Sequence, residues 1–89
     1  MLRKKITIVN KLGLHARAAA KLVHLASRHA SEILLIKNDQ RVNGKSIMGV
    51  MMLAAAKGIE LELEVEGEDE AVALEAVENL INNRFGEAE

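Results

Sequence analysis

Eight residues, IELELEVE from Ile59 to Glu66, place an apolar side chain at every odd position and glutamate at every even one. Successive side chains of a strand point to opposite faces, so this stretch reads as a strand with one apolar face and one carboxylate face. The carboxylate row needs water. The sheet that holds this strand is therefore solvated on one side and buries the other.

What covers the buried side follows from the rest of the pattern. Lys4 to Val9 alternates, with Ile6 and Ile8 on one face, and predicts a first strand. Gly13 marks the turn after it. From Ala16 to about Ser27, Ala19, Leu22, Val23 and Ala26 recur at helical spacing. Glu32 to Lys37 is a second strand, centred on Ile33 to Ile36. Asn38-Asp39 signals a turn, and Arg41-Val42-Asn43 a short returning strand.

Ser46 is placed to cap a helix from Ile47 to Ala56, with Gly58 as its C-terminal stop. Gly67 ends the glutamate strand. Asp69 and Glu70 put negative charge in the first turn of a last helix, which runs through Leu74, Val77 and Ile81 to about Arg84. The order is βαββαβα. It predicts an α+β open-faced sandwich: a four-stranded antiparallel sheet with three helices on one face. Arg3 and Lys5 fall on the glutamate side, which makes the first and last strands natural neighbours.

At 89 residues the chain is expected to form one domain, 1–89. Phe85 is the only aromatic residue, so aliphatic and methionine side chains are expected to build the core. Without cysteine there are no disulfides or thiolate metal sites. The N-terminal stretch lacks the apolar run of a signal peptide. No segment approaches the roughly 18 apolar residues of a membrane span. A cytoplasmic protein with no membrane insertion is expected. A net charge of −1 and a single aromatic argue against nucleic acid as a partner. Most of the Lys and Arg lies in the first half and most of the acid beyond Glu60, which points to one basic working surface.

His15 stands where a loop becomes a helix, in NKLGLHARAAAKLV, with Arg17 two residues on, and is expected to be surrounded by cations and small residues with no acidic residue nearby. Taken alone, such a histidine is usually a cap or a surface residue. A helix N-terminus, however, offers unpaired N–H groups and a positive dipole end, here from Ala16, Arg17 and Ala18, which suit a phosphate. The same field suits a neutral, nucleophilic imidazole. Arg17 can fork onto phosphate oxygens. Ala16, Ala18 and Ala19 are small enough to let another protein approach. These features fit a transiently phosphorylated histidine and do not fit a triad base.

Arg17, Lys21, His24 and Arg28 fall at offsets of four, three and four, and so form one stripe. It is either a solvated face or a docking surface for acidic partners. Around Ser46, the helix with Ile47, Met48, Val50, Met51, Met52 and Leu53 is apolar nearly all round, so core and interface divide these residues between them. His24 and His29 are five apart and have no carboxylate to complete a metal site; no metal or cofactor is expected.

Together, GLHARAAAKLV and GKSIMGVMMLAAAKG resemble the HPr family of the bacterial phosphoenolpyruvate phosphotransferase system, over essentially the whole chain. HARAAAK, VMMLAA and LINNRFGE are similar to its nitrogen-related branch, NPr. The resemblance implies a phosphocarrier, not an enzyme, with the open-faced sandwich fold. It implies that His15 accepts a phosphoryl group on Nδ1 from enzyme I and passes it to an EIIA domain, and that Arg17 neutralises the phosphate. It implies that Ser46 is a regulatory serine, modified where an HPr kinase/phosphorylase exists. Ile47, Met48, Met51 and Met52, with Lys21 and His24, would form the partner surface, and the carrier would be a monomer. Sugar-branch members usually have proline where this chain has Ala18; alanine restores one N–H donor at the helix start. One alternative is a mainly regulatory protein that binds kinases or transcription factors and carries little flux. A small ligand- or RNA-binding domain is a further alternative, but the composition offers no exposed aromatics for it.

Overall fold

The computed structural model describes all 89 residues. Its elements are β1 (Leu2–Thr7), α1 (Ala16–Ala26), β2 (Glu32–Lys37), β3 (Gln40–Asn43), α2 (Ile47–Met52), β4 (Glu60–Glu66) and α3 (Glu70–Asn82), followed by a 3-10 turn at Arg84–Gly86. The sheet order is β1-β4-β2-β3, every pair antiparallel. The first and last strands are neighbours, with Arg3 opposite Glu64 and Lys5 opposite Glu62.

Alternation in the strands decides the layers. Ile6, Ile8, Ile33, Leu35, Leu61, Leu63 and Val65 are all buried, and the helices close over them with Ala18, Ala19, Leu22, Val50, Val77 and Ile81. The expected open-faced sandwich is the one observed. No helix is long and apolar enough to cross a membrane.

Four departures have physical causes. The glutamate face is not uniformly wet: Glu64 is 5% exposed. Arg3 from β1 comes within 3.7 Å of it, and Arg41, reaching across β2, within 3.2 Å. The arginine stems cover the carboxylate while the guanidiniums pair with it.

The second departure is α2, which ends at Met52 and not at Ala56. Carbonyls that a longer helix would use are taken from outside. Lys37 Nζ donates to Leu53 O at 3.0 Å, and Leu14 N–H to Ala55 O at 2.9 Å. Ala54, at φ 50°, makes the left-handed turn that Gly58 was expected to supply. Gly58 instead donates its N–H to Ile8 O at 2.7 Å, at the approach to β4.

Third, the core contains no methionine. Met1, Met48, Met51 and Met52 are all exposed, whereas Phe85 is wholly buried and is the largest side chain inside. It sits in a left-handed run, Arg84 at φ 55° and Phe85 at 54°, before Gly86 at 78°. Non-glycine residues hold that conformation only when surrounding packing fixes them. Here the buried ring does so, and the run turns the chain back toward α1.

Fourth, Asp69 makes no cap bond inside α3. Its carboxylate accepts from Ala30 N–H, Ser31 N–H and the Ser31 hydroxyl, with His29 Nδ1 at 3.3 Å. These donors, the Ser31 hydroxyl foremost, hold the Asp69 carboxyl well below the usual carboxylate range. The loop before β2 is thereby tied to the start of α3.

Candidate functional site

His15 occupies the N-cap position of α1, with extended backbone (φ −74°, ψ 176°) and no side-chain cap bond. Its carbonyl accepts from Ala19 N–H at 2.8 Å, while the N–H groups of Ala16, Arg17 and Ala18 have no acceptor within the protein. The preceding loop is rigidly held. Gly13 lies at φ 66°, where an added Cβ would fall 2.5 Å from Ala55 O. Asn10, fully buried, donates from Nδ2 to Gly13 O at 2.9 Å.

One expectation is overturned. His15 does have an acidic neighbour: its Nε2 lies 2.5 Å from Glu87 Oε2. Glu87 is 72 residues away in sequence. It reaches the site because Phe85 anchors in the core and the left-handed run redirects the chain. The second oxygen of Glu87 accepts from Asn10 Nδ2 at 3.0 Å.

The bond to His15 first, and that to Asn10 next, hold the Glu87 carboxyl below its ordinary value. Glu87 is therefore ionised and can only accept, so Nε2–H is the donor. Nδ1 makes no hydrogen bond to the protein. A carboxyl lowered by folding favours the folded state above its unfolded value. That contribution fades as pH falls through the ordinary carboxylate range and below it.

Arg17 is exposed and in no ion pair. With His15, Lys11, Leu12 and Glu87 it lines an open cleft of about 860 Å³. The alanines divide: Ala16 is exposed, whereas Ala18 and Ala19 are fully buried and offer no surface to a partner. Both side chains belong to the hydrophobic core, so only their backbone is left to the site.

Arg17, Lys21, His24 and Arg28 do come together, along a second groove of about 450 Å³ that includes Leu25 and Leu80. Lys21 is not simply solvated: its Nζ donates to Phe85 O at 2.7 Å. Ile47, Met48, Met51 and Met52 are exposed, while Val50 and Leu53 fill the core. Ser46 caps α2 as expected, its hydroxyl accepting from Gly49 N–H at 3.1 Å. No three His, Asp or Glu side chains converge to hold a metal ion.

Asn10 and Glu87 are the site residues that sequence reasoning missed. The one available signal was a lone aromatic, Phe85, followed at once by Gly86. An anchor and a turn in succession bring whatever follows back onto the body of the protein.

The geometry describes an imidazole whose Nε2 proton is engaged and whose Nδ1 lone pair is free. Open amides and an unpaired guanidinium stand beside it. Such a group is a nucleophile toward a reactant that arrives as an anion.

Comparison with known proteins shows the family of the chain. Residues 2–83 match the family model described as the PTS HPr component phosphorylation site. The chain is 61% identical to phosphocarrier protein HPr of Neisseria meningitidis serogroup A over 89 residues, all of both chains. It is 58% identical to that of Pseudomonas aeruginosa over 86 residues, 96% of each. The crystal structure of HPr-C-His from Thermoanaerobacter tengcongensis superposes with a TM-score of 0.96 at 45% identity, covering both chains fully.

Proposed function

Because the chain belongs to the HPr family of phosphocarriers, we propose that His15 is the residue that carries its phosphoryl group. As a member of that family it is a carrier in the phosphoenolpyruvate-dependent phosphotransferase system, consumed and regenerated stoichiometrically, and it works with enzyme I and EIIA domains. The observation that supports His15 is its free Nδ1, beside three unbonded amides at the start of α1.

In this reading Nδ1 attacks phosphorus in line within the complex with phosphorylated enzyme I. The amides of Ala16, Arg17 and Ala18 and the Arg17 guanidinium receive the phosphoryl oxygens. A charge at an exposed helix end gains only about 0.3–1 kcal/mol. That is enough to hold the phosphoramidate and too little to trap it. Incubation with enzyme I and labelled phosphoenolpyruvate, then mass spectrometry of the intact phosphopeptide, tests the assignment. A label on any residue but His15 would refute it.

Arg17→Ala is expected to slow transfer about ten- to a hundredfold, the effect of losing one hydrogen-bonding charge, with an unchanged melting temperature. Single-turnover kinetics with enzyme I measure this.

Ile47, Met48, Met51 and Met52, with Lys21 and His24 on the adjoining helix, serve as the partner surface in this proposal. Adaptable thioethers suit a protein that meets a donor and an acceptor in turn. The carrier acts as a monomer, presenting one face to each. Ser46 is the proposed regulatory serine. A phosphate there adds about −1.5 to −2 charges at the edge of the apolar patch. Ser46→Asp, as a mimic, is expected to weaken binding to enzyme I; unchanged affinity by calorimetry would count against the switch. The assignment to the nitrogen-related branch is carried by the sequence resemblance alone.

A further inference from the structure

We propose that Glu87 is the positioning residue of the site: its carboxylate holds the Nε2 proton of His15 and so presents the unprotonated Nδ1 to the incoming phosphorus. This deepens, and rests on, the reading of His15 as phosphoacceptor.

The arrangement is fixed from behind. Asn10 is completely buried, and its Nδ2 donates to both Gly13 O and Glu87 Oε1, at 2.9 and 3.0 Å. Its Oδ1 has no partner. Reversing the amide would set that oxygen against a carbonyl and a carboxylate, acceptor facing acceptor. The amide is therefore locked as a double donor, and the carboxylate it holds is aimed at His15.

The segment that carries Glu87 is fastened on both sides. Lys21 Nζ donates to Phe85 O at 2.7 Å, and Lys11 N–H to Glu89 O at 2.9 Å. With Oε1 taken by Asn10, Oε2 is left to His15 at 2.5 Å. An imidazole that donates from Nε2 while neutral has its lone pair on Nδ1.

In the transfer, the Nδ1 lone pair forms the N–P bond as phosphorus separates from the donor atom of phosphorylated enzyme I. The electron pair of the broken bond leaves with that donor. The His15 ring becomes positively charged and keeps its proton on Nε2, against the Glu87 carboxylate. The carboxylate thus orients the ring before attack and faces the positive charge that develops during it.

Two substitutions separate positioning from simple tethering of the chain end. Glu87→Ala removes the acceptor. Glu87→Gln keeps one carbonyl oxygen, which Asn10 Nδ2 claims, and turns an NH2 toward His15, so it still tethers the chain end but offers Nε2–H no acceptor. The unphosphorylated native protein is expected to show a downfield, exchange-protected Nε2–H proton resonance, lost in both Glu87→Ala and Glu87→Gln.

Single turnover with phosphorylated enzyme I is expected to slow about tenfold in Glu87→Ala and in Glu87→Gln alike, with its concentration dependence unchanged. A native rate in Glu87→Ala, or in the glutamine variant that keeps only the tether to Asn10, would overturn the proposal. The resonance is read without any donor, so these failures stay distinct from the failure of His15 as acceptor, which would appear as label on another residue of the native protein.

Discussion

Replacing His15 with alanine is expected to leave a folded protein that takes up no label from phosphoenolpyruvate and enzyme I. The fold should survive because the imidazole makes no cap bond to α1 and contributes nothing to the buried core. Its partner Glu87 keeps the bond to Asn10 when the ring is gone. The loss of transfer should be complete, since no second imidazole is equivalent. His29 has Nδ1 turned to Asp69 at 3.3 Å. His24 lies more than two turns along α1, away from the open amides. Circular dichroism checks the fold and phosphohistidine detection checks the label. Any incorporation by the variant would mean that the phosphoryl group goes elsewhere.

The second large effect is one of stability. Phe85→Ala is expected to destabilise the protein by about 3–5 kcal/mol, the usual cost of removing a buried phenyl ring. For a domain of this size that lowers Tm by about 12 to 40 °C. It is a large part of the roughly 5–15 kcal/mol that holds small domains together. The substitution leaves the left-handed backbone at residues 84 and 85 without the packing that fixes it. Phe85→Leu, which keeps most of the volume, should cost less than about 1.5 kcal/mol. Thermal melts of both variants check this. A shift under 5 °C for the alanine variant would show that the ring is not the anchor described here. In the surviving folded fraction of that variant, the protected Nε2–H resonance of His15 should weaken, because Glu87 is delivered to the site by Phe85.

Strict alternation in β4 and the 3.6-residue spacing in α1 and α3 made the element order and the solvated sheet face legible in the sequence. The start of α1 was legible too, because His15, Arg17 and the amides between them are local in the chain. Features that depend on residues far apart were not. Whether Ile47 to Ala56 stays helical depends on who takes the carbonyls of Leu53 and Ala55. Those donors come from Lys37 and Leu14. Glu64 looked like its neighbours in the glutamate row until Arg3 and Arg41 closed over it. Glu87 was hidden for the same reason. No periodicity relates it to His15, and the link passes through a buried aromatic ring and a left-handed turn.

The exit from α2 carries one more consequence. Ala55 O accepts from the N–H of Leu14, the residue before His15, and Gly13 lies flat against the same backbone. The thioether patch and the His15 imidazole therefore lie on segments fastened to each other through their backbones. If the methionines are the partner surface proposed above, a protein that settles on them has already located the imidazole, and no second search of the surface is needed. A reaction between the two would then proceed at an effective molarity that chance collision in solution could not reach.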